Sequence, residues 1–328
     1  MIVFDEKKLV KKPLVSVGVF TYNQEQYIEQ CLNSILSQKT DFDYEIIIGE
    51  DCGTDKTRAI CIDYQNRYPE KIKLLLHDEN HGMLTNFSEV CKLMRGRYMA
   101  DMDGDDYWVD DHKLQKQVDF MEQHPEYGVC FTAGYVLTPN GRLKDHPKAY
   151  VDVENGDVRA YSQYGPLGLS SAMFVRVELF DLMDWPEIIR RGLSSEDYVT
   201  NAVWALHTQF AFLEDKTTVR RVLKNSLCHA FGDMKYRLGI LKIRYYLGET
   251  FPDDYVYNMQ ELQDEWNYLA FKDAIMHSNY KDAKKYHALI TETYRKKKHY
   301  CKMFLGPVSF LGLVIYLQFQ KLTYNPQI

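Results

Sequence analysis

Short apolar segments alternate with helical segments between residues 14 and 121, and this alternation constrains the fold more than any other feature. Extended apolar runs occupy residues 14–20, 44–48, 71–76 and 97–102. Each run is followed by a segment with apolar residues at helical spacing, near 27–36, 53–64, 85–94 and 114–121. Strands that alternate with helices in this way form a mostly parallel sheet flanked by helices. The sequence therefore predicts an α/β fold.

The second half of the chain has a less regular pattern. We predict a strand at 128–137, an irregular segment at 139–168, a strand at 170–175, a short helix at 177–183 and one or two strands within 210–223. Residues 234–300 have a mainly helical sequence that is rich in Tyr and Lys. Asn23 and Gln26 resemble a capping box, which predicts that the first helix begins beside them.

An acidic segment follows the predicted strand at 97–102. Asp101, Asp103, Asp105 and Asp106 lie within six positions, and like charges this close repel one another unless a cation or hydrogen-bond donors neutralise them. Carboxylate oxygens suit Mg²⁺, Mn²⁺ or Ca²⁺. A divalent metal site is one interpretation, and a solvated acidic turn is the other.

A calcium-binding EF-hand loop fits this segment poorly. Its sixth position requires Gly and holds Asp106, and its twelfth requires Glu and holds His112. The preceding segment is also typical of a strand, whereas an EF-hand loop follows a helix.

Composition excludes several classes of protein. The 328 residues are 45% hydrophobic and 26% charged, which is typical of a globular protein, and a net charge of −6 argues against general nucleic-acid binding. Seven Cys at irregular spacings form no CxxC pair, which is typical of reduced thiols in a cytosolic protein. No apolar signal-peptide segment follows the N-terminal lysines, so secretion is not expected.

Several polar residues lie where predicted strands end. Thr21, Tyr22, Asp51 and Asp103 are placed at or just beyond strand ends, where parallel sheets bind ligands. Each residue alone also fits a turn or a cap. Their joint position favours a binding site along one edge of the sheet.

Three segments resemble glycosyltransferase family 2, the inverting nucleotide-sugar transferases with the Rossmann-like GT-A fold. They are VSVGVFTYNQEQYIEQCLNSILSQ, EIIIGEDCGTDKT and RYMADMDGDDYW. The resemblance covers residues 13–125, and SSEDYVTNAVWA and RRVLKNSLCH extend it to residue 229.

The resemblance implies the residues that bind the donor. Tyr22 and Asp51 are expected to hold the nucleobase, with Phe20 shaping the pocket. Asp103 is expected beside the ribose and the metal, and Asp105 as the direct ligand of Mg²⁺ or Mn²⁺ that bridges the two phosphates.

The resemblance also implies the residues that act on the acceptor. Asp197 matches the general base of the family, and Glu196 is expected to orient it or to bind the acceptor, although both residues also fit plain capping of a helix. His229 is a candidate metal ligand, but a lone His is more often a surface or hydrogen-bonded residue. Arg221 and Lys224 are candidates to contact the diphosphate.

The chain departs from the family pattern in three places. Phe20 replaces a usual Pro, the segment 50–53 reads EDCG where DDGS is common, and no QxxRW motif follows Asp197. Because QxxRW is typical of processive synthases, we expect transfer of one sugar per encounter.

The implied function is transfer from a nucleotide-sugar donor, in the first instance a UDP-sugar, to a glycan or lipid-linked acceptor in surface polysaccharide biosynthesis. A non-catalytic nucleotide-sugar-binding scaffold remains an alternative. A sugar nucleotidyltransferase remains another, although the expected Gly-rich basic loop is absent from TYNQEQ.

The resemblance and the patterns together predict two domains. Residues 1–232 are expected to form the catalytic domain, with 13–125 as the nucleotide-sugar-binding half and 126–232 as the acceptor half. Residues 233–328 are expected to form a helical region.

The apolar segment 303–319 has 17 residues, the lower limit for a membrane span, and contains Gly306, Pro307 and Gly312. With the basic residues 295–298 it predicts a peripheral anchor at the cytoplasmic face of the plasma membrane. A packed helix or a true span remain alternatives.

Overall fold

The computed structural model describes residues 2–3, 8–146, 158, 167–193, 195–223, 232–277 and 279–289. The chain divides into two compact units, residues 1–226 and residues 227–328. All the residues of the acidic segment lie in the first unit.

Within the described residues the first unit contains a ten-stranded mixed sheet. The strands are β1 (Ile2–Val3), β2 (Val15–Thr21), β3 (Tyr44–Glu50), β4 (Ile72–Leu76), β5 (Tyr98–Asp103), β6 (Tyr107–Trp108), β7 (Tyr127–Leu137), β8 (Leu143–His146), β9 (Met173–Arg176) and β10 (Gln209–Arg221). Their order in the sheet is β1-β4-β3-β2-β5-β9-β7-β10-β6, and β8 pairs with β7.

The predicted parallel arrangement holds for β4, β3, β2 and β5, which are adjacent in the sheet, and for β7 with β10. The five other pairings are antiparallel, including those of β9 with β5 and with β7. Antiparallel pairs do not need a helical crossover. They could therefore not be predicted from the alternation of strands and helices, which is regular only in the first part of the chain.

Helices cover both faces of the parallel strands. On one face lie α1 (Ile28–Leu36), α2 (Thr57–Arg67) and α4 (Lys113–Gln123), whose apolar side chains form one core with Val15, Val17 and Val19. On the other face lies α3 (Met83–Lys92), which approaches β3 so closely that a Cβ at Gly49 would meet Asn86 Oδ1 at 2.2 Å. The close approach of α3 therefore requires glycine at position 49.

Two further helices lie beside α3. They are α5 (Trp185–Arg191) and α6 (Glu196–Trp204), which follow two 3₁₀ helices, Ser170–Ala172 and Val177–Leu182. The ring centroids of Phe87 and Trp185 are 5.6 Å apart, and those of Phe180 and Trp204 are 5.1 Å apart. Aromatic packing thus holds α5 against α3, and the end of α6 against the second 3₁₀ helix.

The predicted capping box is wrong. Helix α1 begins at Ile28, and its N-cap residue Tyr27 makes no side-chain cap hydrogen bond. Asn23 instead adopts a left-handed conformation (φ 52°), and its Oδ1 accepts a hydrogen bond from the Thr54 amide at 2.7 Å. Because Asn tolerates this conformation, Asn23 can form the turn after β2 while its side chain binds the neighbouring loop.

The second unit contains α7 (Gly232–Thr250), α8 (Met259–Met276) and α9 (Tyr280–Leu289). Leu241, Leu262 and Leu269 form its apolar cluster. Among the described residues no helix is both long enough and apolar enough to cross a membrane. The apolar segment 303–319 lies outside these residues.

Candidate active site

The carboxyl ends of four neighbouring strands form a continuous edge. His77 follows β4, Asp51 follows β3, Thr21 ends β2 and Asp103 ends β5. This is the edge at which the sequence predicted a site.

The loops after β2 and β3 bind each other through side chain to backbone hydrogen bonds. Asp55 Oδ2 accepts from the Glu25 amide at 3.0 Å, and Glu25 Oε2 accepts from the Lys56 amide at 2.8 Å. The backbone amide of Gln24 donates to Thr57 Oγ1 at 2.7 Å. These reciprocal bonds make the two loops one structural element.

Asp51 lies at the centre of the predicted nucleobase site. It is buried, and its two oxygens accept hydrogen bonds from the amides of His81 and Gly82 at 2.8 and 2.9 Å. The carboxylate thereby holds the loop that leads into α3. Each oxygen keeps a second acceptor direction, so this role does not prevent contact with a base.

Phe20 and Tyr22 occupy different environments. The Phe20 ring is buried and stacks on Phe87, with a centroid distance of 4.8 Å. The Tyr22 side chain is 44% exposed. Of these two candidates, Tyr22 is therefore the one available to a ligand from solvent.

The three carboxylates of the acidic turn have different partners. Asp103 Oδ2 accepts from Ser170 Oγ at 2.6 Å, and Asp106 accepts from Ser171 Oγ and from the Arg221 amide, both at 2.8 Å. No other residue in the described part of the chain donates a hydrogen bond to the Asp105 carboxylate. Asp106 thus has a structural role, whereas Asp105 is available for a ligand.

Gly104 lets the turn lie close to the loop after β2. A Cβ at this position would meet Gln24 Oε1 at 2.5 Å and Thr21 Oγ1 at 2.8 Å. The Gly104 amide also donates to the Phe20 carbonyl at 2.9 Å. The central residue of the Asp103-Gly104-Asp105 sequence is therefore fixed by packing.

Helix α6 brings two more carboxylates to the turn. Ser195 is its N-cap residue, and Asp197 Oδ1 accepts from Ser195 Oγ at 2.5 Å and from the Tyr198 amide at 2.8 Å. The pKa of Glu196 lies well above its usual value because of burial and the charges of Asp197 and Asp103. Glu196 and Asp197 therefore belong to the same electrostatic cluster as the acidic turn.

Burial and mutual repulsion raise the pKa values of this cluster. Burial and the charge of Asp103 raise the pKa of Asp105 to about 6. Burial also raises the pKa of Asp103, opposed by the Ser170 hydrogen bond and the Arg220 charge. The cluster has an excess of negative charge that a cation would relieve.

Asp101 lies in β5, two residues before Asp103. It is buried, and its Oδ1 has no hydrogen-bond partner among the described residues. Burial, together with the charges of Asp103 and Glu196, raises its pKa well above the usual value. Asp101 therefore adds to the crowding of carboxyl groups beneath the turn.

The carboxylate oxygens of the acidic turn fit Mg²⁺ or Mn²⁺ as a bound metal. These ions prefer carboxylate oxygens, and Mg²⁺ is usually held by one or two carboxylates plus substrate phosphates. Asp105 and the second oxygen of Asp103 supply such ligands without a third protein group.

Another acidic group has a tighter arrangement but is already neutralised. Among the described residues, the set of three metal-binding side chains with donor atoms within 4.8 Å is Asp110, Asp111 and His112. Lys116 pairs with Asp110 at 2.7 Å, and Lys39 pairs with Asp111. We therefore assign no metal to it.

Sequence reasoning missed Ser171. Its hydroxyl accepts from the Asp103 amide at 3.1 Å, and its carbonyl accepts from Trp108 Nε1 and Thr218 Oγ1, both at 2.9 Å. Ser171 thereby joins β5, β6 and β10 at the site. Nothing in the local pattern around residue 171 indicates these distant contacts.

Two predicted residues are not placed. His229 and Lys224 lie outside the described residues, so their predicted contacts with metal and diphosphate stay predictions.

Comparison with known proteins agrees with this architecture. Residues 16–175 match the family model described as Glycosyl transferase family 2. The putative teichuronic acid biosynthesis glycosyltransferase TuaG of Bacillus subtilis is 41% identical over 134 residues, which are 41% of this chain and 52% of TuaG. The matched segments span about a third to a half of the curated relatives.

Solved structures share the fold. S. aureus TarS 1-349 in complex with UDP-GlcNAc has a TM-score of 0.53 at 19% identity, over 88% of this chain and 87% of that one. The mannosyltransferase PcManGT of Pyrobaculum calidifontis, in complex with GDP-Man and Mn²⁺, has a TM-score of 0.52 at 14% identity, over 95% of this chain and 88% of that one. The predicted α/β GT-A architecture is confirmed by these folds, and the predicted family is confirmed for residues 16–175, which belong to glycosyltransferase family 2.

Proposed function

We propose that the protein is a metal-dependent inverting glycosyltransferase that moves one sugar from a nucleotide-sugar donor to a hydroxyl group of a glycan or lipid-linked acceptor. One observation carries this proposal: the buried Asp103 carboxylate interacts electrostatically with Asp105 in the acidic turn and with Glu196 and Asp197 on α6. The cluster provides ligands for a metal on one side and a candidate base on the other.

Donor binding is assigned to the edge formed by β3, β2 and β5. The exposed Tyr22 and the loop-holding Asp51 lie on the nucleobase side, and Asp103 and Asp105 lie on the diphosphate side. Mg²⁺ or Mn²⁺ bound there would neutralise the charge that develops on the leaving nucleoside diphosphate. TarS and PcManGT, which bind UDP-GlcNAc and GDP-Man, support a nucleotide-sugar donor.

Asp197 is assigned the acceptor proton. One of its oxygens is held by Ser195 and by the Tyr198 amide, which fixes the carboxylate at the start of α6. Burial raises its pKa, which makes it a better proton acceptor. A base and a leaving group on opposite faces of the sugar lead to inversion, as in inverting glycosidases.

The similarity to TuaG supports a role in surface polysaccharide biosynthesis, with a glycan or lipid-linked acceptor. We place the reaction in the cytoplasm at the membrane surface, with attachment through residues 295–319. This placement rests on the sequence pattern of that segment.

A thermal-shift panel of nucleotide sugars, with and without Mn²⁺, tests the proposal. A donor that binds only the native state raises the melting temperature by mass action. UDP-sugars and GDP-mannose should be compared on the wild type, on Asp105→Asn and on the control Asp111→Asn, which alters the other acidic group. We expect one donor to give a Mn²⁺-dependent shift that Asp105→Asn removes and Asp111→Asn retains.

Two outcomes contradict the proposal. One is a panel in which no nucleotide sugar raises the melting temperature. The other is a full Mn²⁺-dependent shift in Asp105→Asn. Donor binding without release of nucleoside diphosphate to any acceptor would favour the non-catalytic scaffold.

A further inference from the structure

Arg221, the last residue of β10, makes an unusual set of contacts around the acidic turn. Its Nη1 donates to the Asp105 carbonyl oxygen, and its backbone amide donates to Asp106 Oδ1 at 2.8 Å. Arg221 therefore binds the backbone carbonyl of Asp105 and the side chain of Asp106. No other described residue makes contacts with both.

The guanidinium group is itself fixed by α1 and β6. Its Nη2 donates to Gln30 Oε1 at 2.5 Å, and its Cζ lies 5.0 Å from the Tyr27 ring centroid and 4.5 Å from the Tyr107 ring centroid. A planar guanidinium that packs near two aromatic rings and donates two hydrogen bonds is restricted in its orientation. The hydrogen bond from the guanidinium to the Asp105 carbonyl therefore has a fixed geometry.

The consequence concerns the direction of the Asp105 side chain. Because no other described residue donates a hydrogen bond to the Asp105 carboxylate, its position depends on the backbone of the turn. The turn is closed by the hydrogen bond from the Asp106 amide to the Asp103 carbonyl at 2.9 Å. Arg221 binds the carbonyl of this same peptide group, so the two hydrogen bonds together set the direction in which the Asp105 side chain leaves the turn.

We propose that Arg221 is a positioning residue that orients Asp105 toward the cation through its backbone carbonyl, and not a direct ligand of the diphosphate. This inference rests on the proposed metal-dependent function. Its basis is that Nη1 and Nη2 each donate to a protein acceptor, the Asp105 carbonyl and Gln30 Oε1, which directs the guanidinium toward the turn.

A positioning role and a direct phosphate contact predict different effects of Arg221 substitutions on nucleotide binding in the absence of metal. A positioning role makes Arg221→Met require at least about tenfold more Mn²⁺ for nucleotide binding, with full recovery at high Mn²⁺ and unchanged binding in EDTA. A direct phosphate contact makes Arg221→Met weaken nucleotide binding equally in EDTA and in Mn²⁺. Isothermal titration with UDP, and in parallel with GDP, over a series of Mn²⁺ concentrations separates them.

Three further variants sharpen the test. Arg221→Lys keeps the charge but cannot bind the Asp105 carbonyl and Gln30 together, so it should behave like Arg221→Met. Gln30→Ala removes one anchor of the guanidinium and should raise the Mn²⁺ requirement by a smaller factor. Arg142→Met, at an exposed turn, is the control and should leave the requirement unchanged.

The results that would overturn the positioning role of Arg221 differ from those that would overturn the proposed function. A Mn²⁺ requirement unchanged in Arg221→Met, or fully restored in Arg221→Lys, overturns the positioning role while Asp105→Asn still loses Mn²⁺-dependent binding. If the wild type and Asp105→Asn bind UDP and GDP identically, with and without Mn²⁺, both proposals are wrong. Should Arg221→Met fail to fold, an unchanged requirement in Gln30→Ala overturns the inference.

Discussion

The Ser171 hydroxyl donates a 2.8 Å hydrogen bond to Asp106 Oδ2, and both side chains are buried. This bond joins the acidic turn after β5 to the 3₁₀ helix before β9. It stabilises a buried carboxylate whose other oxygen accepts from the Arg221 amide. The turn that presents Asp105 is therefore supported by residues far apart in sequence.

Ser171→Ala should destabilise the protein by about 1–3 kcal/mol, because it leaves a buried acceptor without its donor. Urea unfolding of the wild type and the variant measures the difference. Ser37→Ala, which removes an exposed hydroxyl bonded to the Ser34 carbonyl, is the control and should change stability by no more than about 0.5 kcal/mol. Equal effects of the two substitutions would contradict the role assigned to Ser171.

The pKa of Asp105, raised to about 6, predicts how metal binding depends on pH. Mn²⁺ must displace the proton of a protonated ligand. Its apparent affinity should therefore be about tenfold weaker at pH 5 than at pH 7 and should change little above pH 7. Titration of Mn²⁺ in the presence of the donor, at a series of pH values, measures this dependence.

The stability of the metal-free protein should change in the opposite direction. Since the folded-state pKa of Asp105 lies above the unfolded value near 3.9, the native state binds more protons between about pH 4 and pH 6. Stability should fall as pH rises through this window. Asp105→Asn should make this pH dependence less steep, and an unchanged profile would argue against the raised pKa.

The basic residues 295–298 predict binding to anionic membranes. Each such charge near an anionic surface contributes about 1 kcal/mol. The full chain should sediment with vesicles that contain phosphatidylserine, and replacing Arg295, Lys296, Lys297 and Lys298 with Gln should weaken this at least tenfold. The same substitution at Lys242, Lys281, Lys284 and Lys285, all exposed, is the matched control. If the full chain ignores the vesicles, the peripheral anchor is wrong.

The local pattern predicted the parallel strands well because each of β2, β3, β4 and β5 is a mainly apolar run with polar residues at or just beyond its end. It missed α5 even though its signals are present: Asp184 caps the Glu187 amide at 3.1 Å, Pro186 lies in the first turn, and Gly192 ends the helix with φ 61°. These signals lie within an aromatic, apolar segment where no helical period was recognised.

The support of the site could not be predicted in the same way. Asp103, Asp105 and Asp197 were identified from position and resemblance, but the Asp105 carboxylate looks no different in sequence from that of Asp106. What separates them is the presence of Ser171 and Arg221, which reach Asp106 from the first 3₁₀ helix and from β10. Such contacts depend on the order of strands in the sheet, and the local sequence does not contain that order.

Asp197→Asn tests the proposed base. The amide oxygen can retain the hydrogen bonds from Ser195 and the Tyr198 amide, so the start of α6 should keep its structure while the basic oxygen is lost. We expect the transfer rate to fall by about 10²-fold or more, with donor affinity and melting temperature unchanged. Glu196→Gln should have a smaller effect on the rate because Glu196 is assigned to orientation or acceptor binding.

Two measurements decide the mechanism. The first is the rate of nucleoside diphosphate release with the acceptor for the wild type, Asp197→Asn and Glu196→Gln. Near wild-type transfer in Asp197→Asn would assign the proton to another residue, and a larger loss in Glu196→Gln would name that residue.

The second measurement is the anomeric configuration of the product by NMR. An axially linked donor should give an equatorial product, because the hydroxyl deprotonated by Asp197 attacks from the face opposite the leaving group. An axial product would exclude inversion.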